Sequence, residues 1–273
     1  MSSEQHESTE APVVHRSVLS HAAGRILILT ILFSAIGIVV GLLVPSHIMP
    51  REMSAEGHDA LMTVVVFTVA AAPVSALVYA IGAYSLLRWR HRGEEAPTED
   101  GPALHGHGYV TGIWLTVSAV LVIFVLTWGL SFLSSDQAGQ VKPLKVQVIG
   151  QQWVWSFKYP GTGVESSKLV LPVDRPVEFH VTSKDVTHGF WPQEFGIQVD
   201  ANTAEETVIR TTPNKTGSFY VRCSQICGTY HAFMQSKGLV VGSTGFAHWL
   251  EAKGASPAQV RAVALTTSGG GKS

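Results

Sequence analysis

The chain has 273 residues and a formal net charge of −1, so it is long enough for one or two domains and gives no sign of nucleic-acid binding. Hydrophobic residues make up 46% of it and charged residues only 14%, and the mean hydropathy is positive. This balance argues against an ordinary soluble protein.

Three uncharged apolar stretches in the first half account for the hydrophobicity. They occupy residues 26–44, 61–87 and 110–133, and each reaches the roughly 20 residues that a helix needs to cross a bilayer. We therefore predict a membrane domain over 26–135 with three transmembrane α-helices, in preference to buried core helices, which are usually shorter and interrupted by polar residues. The first stretch also has the form of a secretory signal peptide, but no small-residue cleavage site follows it, so a retained helix is favoured.

Basic residues beside these stretches predict the orientation of the chain. The N-terminal segment 1–25 has two Lys or Arg residues, the first connecting loop has one and the second has three. By the positive-inside rule, the N-terminus and the second loop are cytoplasmic, and everything after residue 133 lies outside the cytoplasm.

From residue 136 the pattern changes to short runs rich in Val, Phe, Tyr and Thr, separated by Pro, Gly, Asn and Asp. About seven such strands predict an all-β Greek-key sandwich or barrel over 136–243. The predicted strands are LKVQVIG, WVWSFKY, KLVLPV, PVEFHVTS, TVIRTT, GSFYVRC and KGLVVGS. Residues 244–273 are predicted to form a short helix at FAHWLEAKG and a disordered tail.

The segment CSQICGTYHAFM, residues 223–234, contains both cysteines of the chain. A disulfide is the commonest use of two cysteines outside the cytoplasm, but it needs neither the histidine nor the methionine that follow. Zinc would accept two cysteines and two histidines, yet methionine is a poor zinc ligand and favours copper. A single blue-type copper uses only one cysteine. Two thiolates, Cys223 and Cys227, are therefore candidates to bridge two metal ions.

The other ligands of such a pair must include two imidazoles. His231 and Met234 lie in the same loop, and the segment DVTHGF supplies His188, 35 residues before Cys223. Alone, His188 is typical of a hydrogen-bonded loop histidine. Together with the cysteine loop it is predicted to be a metal ligand.

With these motifs assembled, the sequence resembles subunit II of the heme-copper (cytochrome c) oxidases over residues 61–250. The matching features are a helical pair with a basic loop, the segment QQWVWSFKY, DVTHGF, the cysteine loop and a terminal FAHWL helix. The resemblance implies a cupredoxin sandwich with a dinuclear copper centre, CuA. It implies six ligands: the thiolates of Cys223 and Cys227, the imidazoles of His188 and His231, the thioether of Met234 and the backbone carbonyl of Gln225.

Two further roles come from the same resemblance. Trp153 corresponds to the tryptophan through which the electron enters, the alternative being a core aromatic residue on a strand. Trp153 lies on the β-rich segment QQWVWSFKY, and alternation places Trp153 and Trp155 on the same face, so that at least one of them could be a core residue. Asp185 is the candidate that orients His188 through a hydrogen bond.

The function that the resemblance implies is that of an oxidoreductase subunit in the plasma membrane of a prokaryote. It would accept electrons from a c-type cytochrome or a small copper protein and pass them to heme in subunit I of a terminal oxidase. The alternatives are the copper subunit of a nitric oxide reductase of the same superfamily and, in a different class, a membrane-anchored copper chaperone.

The sequence departs from the family pattern at points that bear on function. Gln225 stands where many members have a glutamate that holds magnesium or manganese, and because an amide binds hard cations more weakly than a carboxylate, we predict no magnesium here. The helix 110–133 lacks the glutamate that many relatives carry for proton uptake, with Thr111 near the expected place. From residue 136 onward, 10 acidic and 13 basic residues give a net charge of +3, which argues against a strongly acidic docking face.

Overall fold

The computed structural model describes residues 16–88, 106–133 and 142–264. The chain divides into two compact units, one of residues 1–48 and 63–100 and the other of residues 49–62 and 101–273. Residues 1–15 of the predicted cytoplasmic segment, residues 89–105 of the basic loop and residues 265–273 of the predicted tail lie outside the described residues. The orientation of the chain and the predicted domain boundaries therefore stay predictions.

The described residues of the first half of the chain are mainly α-helical. The helices are α1 (Arg16–Leu43), the short α2 (Pro45–Ile48), α3 (Ala55–Arg88) and α4 (Gly108–Leu133). α3 and α4 contain the predicted stretches 61–87 and 110–133, and α1 covers the stretch 26–44 except for its last residue. By length and composition, three helical segments are apolar enough to cross a membrane: His21–Ile48, which runs from α1 through α2, Ala55–Arg88 and Gly108–Ser131.

Within the first unit, α1 and α3 approach each other closely at small residues. A Cβ atom added to Gly37 would lie 2.9 Å from the Cβ of Ala72, and one added to Gly41 would lie 3.0 Å from a methyl group of Thr68. Small side chains let two apolar helices bring their backbones together. Gly37 and Gly41 therefore mark the face of α1 that packs against α3.

The second half of the chain forms two five-stranded sheets. The strands are β1 (Leu144–Gln151), β2 (Val154–Tyr159), β3 (Val164–Ser166), β4 (Leu169–Pro172), β5 (Val177–Ser183), β6 (His188–Pro192), β7 (Val199–Ala201), β8 (Thr207–Thr211), β9 (Gly217–Cys223) and β10 (Gln235–Val241). The first sheet has the order β3-β2-β1-β5-β8 and the second has the order β4-β10-β9-β6-β7. β1 pairs in parallel with β5, and β4 with β10, while the other neighbours are antiparallel.

Alternating side chains build the core of this domain. Along β1, Val146 and Val148 are buried while Lys145 and Gln147 are exposed. Aromatic residues from both sheets join the same core: Phe157, Phe179, Phe190 and Phe219. Such alternation places one face of each sheet inside the sandwich. The predicted fold class, membrane-type α-helices followed by an all-β Greek-key cupredoxin sandwich, is confirmed.

Several elements differ from the sequence-based expectation. The strands β3, β6 and β7 were not predicted, because they are short or interrupted by Gly and Pro. The predicted short helix is α5 (Ser243–Ala252), but a second helix, α6 (Pro257–Ala264), follows it where no helix was expected. Val260 of α6 joins the core with only 5% of its surface exposed, which explains why these residues form an ordered element.

A connecting segment from the helical half of the chain belongs to the core of the second unit. Met53, which precedes α3, is fully buried. Its N–H donates to the carbonyl of Glu194 at 2.7 Å, and its own carbonyl accepts from the N–H of Asn214 at 2.9 Å. The hydroxyl of buried Ser54 donates to the carbonyl of Phe195 at 2.8 Å. The β domain therefore includes a piece of chain that lies far from it in sequence.

Candidate metal centre

The candidate ligands lie where strands of the second sheet end. His188 is the first residue of β6 and Cys223 is the last residue of β9, and β6 and β9 are paired neighbours. The loop after Cys223 returns to β10 through a short 3-10 helix and Met234. The N–H of Cys223 donates to the carbonyl of Met234 at 3.0 Å. Strand pairing therefore fixes both ends of the loop and places His188 beside it.

The two cysteines are buried free thiols. The sulfur atoms of Cys223 and Cys227 lie 3.7 Å apart, whereas a disulfide bond needs about 2.05 Å. The disulfide considered from the sequence is therefore not formed, and the loop presents two separate sulfur donors.

Each sulfur has its own histidine nearby. The Cys223 Sγ lies 3.9 Å from Nδ1 of His188, and the Cys227 Sγ lies 3.6 Å from Nδ1 of His231. The ligand atoms of His188, Cys223 and Cys227 all lie within 4.8 Å of one another. The structure thus brings one imidazole to each side of the thiol pair.

Each sulfur also has one weaker donor. The backbone carbonyl oxygen of Gln225 lies 3.1 Å from Cys223 Sγ, and the Sδ of buried Met234 lies 3.7 Å from Cys227 Sγ. The side chain of Gln225 is exposed, so this residue can reach the centre by its main chain, as the resemblance implies. The expectation that no magnesium binds near Gln225 stays a prediction.

A carboxylate holds His188 from the side opposite the sulfurs. The imidazole is fully buried, and its Nε2 lies 2.9 Å from Oδ1 of Asp185. Burial of Asp185 opposes its ionisation, but hydrogen bonds from Gln152 N–H, from His188 and from Val186 N–H outweigh burial and lower its pKa to about 2. Asp185 is therefore ionised at neutral pH and turns Nδ1 of His188 toward the thiols.

The burial of Cys227 affects how readily its thiol loses a proton. Burial raises the pKa of the Cys227 thiol to about 12, and the neighbouring Cys223 adds to the increase. Without a cation this thiol keeps its proton, and a metal that binds it must displace that proton. A soft cation with high affinity for thiolate sulfur can do so.

The structure corrects the sequence-based placement of Trp153. Gln151 pairs directly with Val154, so Gln152 and Trp153 form the two-residue turn between β1 and β2 and do not continue a strand. The alternation that would put Trp153 and Trp155 on one face is therefore broken. Trp155 is in the core with 2% of its surface exposed, whereas Trp153 is only partly buried.

Trp153 lies directly against the cysteine loop. Its indole Nε1 donates to the carbonyl of Cys227 at 3.3 Å, and its ring meets that of Tyr230 edge-on at 4.9 Å between centroids. The apolar side chains of Ile226, Tyr230 and Phe233 in the same loop are exposed. The surface over the candidate centre is therefore largely apolar and aromatic.

The sequence analysis did not identify the residues against which the backbone of the cysteine loop packs. Gln152 donates from Nε2 to the Cys227 carbonyl at 2.8 Å. A Cβ atom on Gly189 would lie 2.9 Å from the backbone nitrogen of Gln225, and one on Gly228 would lie 3.2 Å from Nε2 of Gln152. Gly189, which follows His188 in DVTHGF, could have been recognised from the sequence as a position of close packing. The segment that it packs against, at Gln225, could not.

The donor set fits copper. Two sulfurs that can ionise stand together, with one imidazole nitrogen beside each and a thioether and a carbonyl as weak donors. Thiolate, thioether and imidazole are the ligands that copper prefers, whereas hard cations prefer oxygen.

Comparison with known proteins gives consistent matches. Residues 162–241 match the family model for the periplasmic domain of cytochrome c oxidase subunit II. All six candidate ligands lie inside that range, and Trp153 lies outside it. Cytochrome c oxidase subunit 2 of Synechocystis sp. is 25% identical over 236 residues, which cover 69% of this chain and 70% of the relative.

Two other matches are confined to a smaller part of the chain. Cytochrome c oxidase subunit 2 of Thermostichus vulcanus is 34% identical over 116 residues, which cover 42% of this chain and 35% of the relative. The crystal structure of the periplasmic domain of subunit II of cytochrome oxidase from Bradyrhizobium japonicum is 30% identical, with a TM-score of 0.40, and covers 43% of this chain and 96% of that one.

Proposed function

We propose that this chain, which is similar to subunit II of the cytochrome c oxidases, an oxidoreductase complex, is the electron-accepting subunit of a terminal heme-copper oxidase. One observation carries the proposal: two buried free thiols stand 3.7 Å apart, each with an imidazole nitrogen within 4 Å. A copper chaperone or a disulfide protein does not need this symmetrical set of donors.

Six residues would hold the metal in this proposal. Cys223 and Cys227 would bridge two copper ions, and the remaining ligands would be His188, His231, Met234 and the Gln225 carbonyl. Two copper ions held by these residues would supply a centre that accepts and releases one electron. The protein contributes a rigid frame, since the ligands stand at strand ends and Asp185 orients His188.

Trp153 is the residue through which the electron would enter. It is partly exposed, and its indole N–H is hydrogen-bonded to the peptide carbonyl of the bridging ligand Cys227. An electron-donor protein that touches the indole would therefore be separated from the Cys227 sulfur by one hydrogen bond and the covalent bonds within Cys227. The aromatic and apolar side chains around it would exclude water from the contact.

The partners and the location follow from the same proposal. The helices would anchor the chain in the plasma membrane of a prokaryote with the N-terminus in the cytoplasm, and the β domain would lie in the periplasm. There it would receive electrons from a c-type cytochrome or a small copper protein and deliver them to heme in subunit I.

The role of Trp153 can be tested on the copper-loaded full chain. We expect Trp153→Gln to retain copper and to lower the rate of reduction by a c-type cytochrome by orders of magnitude in stopped-flow measurements. The matched control is Val154→Gln, at an exposed neighbour, which should leave the rate nearly unchanged. If Trp153 were only a packing residue, the variant would lose roughly 3–5 kcal/mol of stability and would still be reduced at a near-normal rate.

A further inference from the structure

Resting on the proposed function, we propose that Gln152 is a positioning residue that anchors the turn between β1 and β2 beside the metal centre and holds Trp153 on the ligand loop. Gln152 occupies the turn between β1 and β2, outside the ligand set. It has two donor groups, the main-chain N–H and the side-chain NH2, and each reaches a different side of the centre.

The side-chain donor acts on the Cys227 half. Nε2 of Gln152 donates to the Cys227 carbonyl at 2.8 Å, and the indole of Trp153 donates to the same oxygen at 3.3 Å. A carbonyl oxygen has two lone pairs and can accept both bonds. The shorter bond, from Gln152, fixes the distance between the turn and the loop, and with it the position of the indole.

Gly228, the residue after Cys227, gives this contact its space. It has a positive φ of 115°, and a Cβ atom there would lie 3.2 Å from Nε2 of Gln152 and 3.4 Å from Cζ2 of Trp153. The loop backbone thus approaches the turn closely at the one position next to Cys227 that lacks a side chain. The loop is shaped to fit this turn.

The main-chain donor acts on the His188 half. The N–H of Gln152 donates to Oδ2 of Asp185 at 2.7 Å, and Oδ1 of the same carboxylate lies 2.9 Å from Nε2 of His188. A side-chain substitution at Gln152 leaves this main-chain bond in place. It therefore removes the link to the Cys227 half alone.

This asymmetry makes the proposal testable with Gln152→Met, which keeps the length of the side chain and removes its N–H. The matched control is Gln151→Met, at the exposed neighbouring glutamine. In the metal-free full chain, the Trp153 indole N–H labelled with ¹⁵N should exchange with solvent about 10-fold faster in Gln152→Met, as expected for loss of one hydrogen bond. Gln151→Met should match the unsubstituted chain.

The copper-loaded chain gives the second readout. Gln152→Met should be reduced more slowly by a c-type cytochrome and at an unchanged rate by a small diffusible reductant, because the centre stays intact and only its contact with Trp153 loosens. Equal indole exchange and equal cytochrome rates in Gln152→Met and Gln151→Met would overturn the proposal, as would an equal fall with both reductants. An unsubstituted chain that binds no copper would instead refute the proposed function.

Discussion

Substitution of Met53 tests whether the segment before α3 is part of the β domain. Met53 is fully buried in the core cluster of that domain, and both of its backbone groups are hydrogen-bonded to the domain. Met53→Ala keeps those backbone bonds and leaves a cavity. Truncation of a buried methionine to alanine costs about 2–5 kcal/mol. At about 2–4 °C per kcal/mol for a domain of this size, the thermal midpoint should fall by about 4–20 °C.

The assay is thermal unfolding of the detergent-solubilised full chain, followed by near-ultraviolet circular dichroism, which reports the packed aromatic core. Two controls separate a cavity from a general effect. Met53→Leu conserves volume and should cost less than about 1.5 kcal/mol, and Val208→Ala, at a half-exposed strand position, should change stability little. A Met53→Ala chain with an unchanged midpoint would refute the inclusion of this segment in the domain core.

Two further predictions concern the centre and the charged face of the first sheet. Met234→Leu should retain copper and raise the reduction potential in a redox titration, because a weak thioether ligand would tune a site that stronger ligands hold. Loss of all copper would contradict this. Glu178→Gln should lower the unfolding free energy at pH 7 by up to on the order of 3 kcal/mol. The reason is that hydrogen bonds from Arg210, His180 and Lys145 outweigh the effect of burial and lower the pKa of Glu178 from 4.5 to about 2. A lowered carboxyl pKa stabilises the fold above pH 4.5, and this contribution is lost as the pH falls toward about 2. The difference between the two proteins in acid titrations of stability should therefore disappear near pH 2, and a difference independent of pH would show that Glu178 acts without its charge.

The sequence predicted the parts of the fold that have strong local patterns. Long uncharged stretches predicted α1, α3 and α4, and alternation of apolar and polar residues predicted most of the strands. β6 was missed because Gly189 and Pro192 interrupt its pattern, and it forms only through its partners β7 and β9. α6 was missed because its single buried apolar stripe is short.

The donors of the candidate centre were predictable because the cysteine loop holds four ligand types within twelve residues, from Cys223 to Met234. The contacts that support the cysteine loop were not predictable. The hydrogen bond of Gln152 to Cys227 joins residues 75 positions apart, and the packing of Met53 against residue 194 and its neighbours joins segments farther apart still. Such contacts form only in the tertiary structure, and no pattern of residue spacing in the sequence indicates them.

The central claim, a centre of two coppers bridged by two thiolates, is tested most directly by electron paramagnetic resonance of the copper-loaded full chain with copper and protein quantified in the same sample. The full chain is required because Met53 belongs to the domain core. We expect two coppers per chain and hyperfine splitting from one unpaired electron shared equally by two copper nuclei, with Cys227→Ser abolishing the sharing. A spectrum with the splitting of a single copper nucleus in the unsubstituted chain would contradict the account.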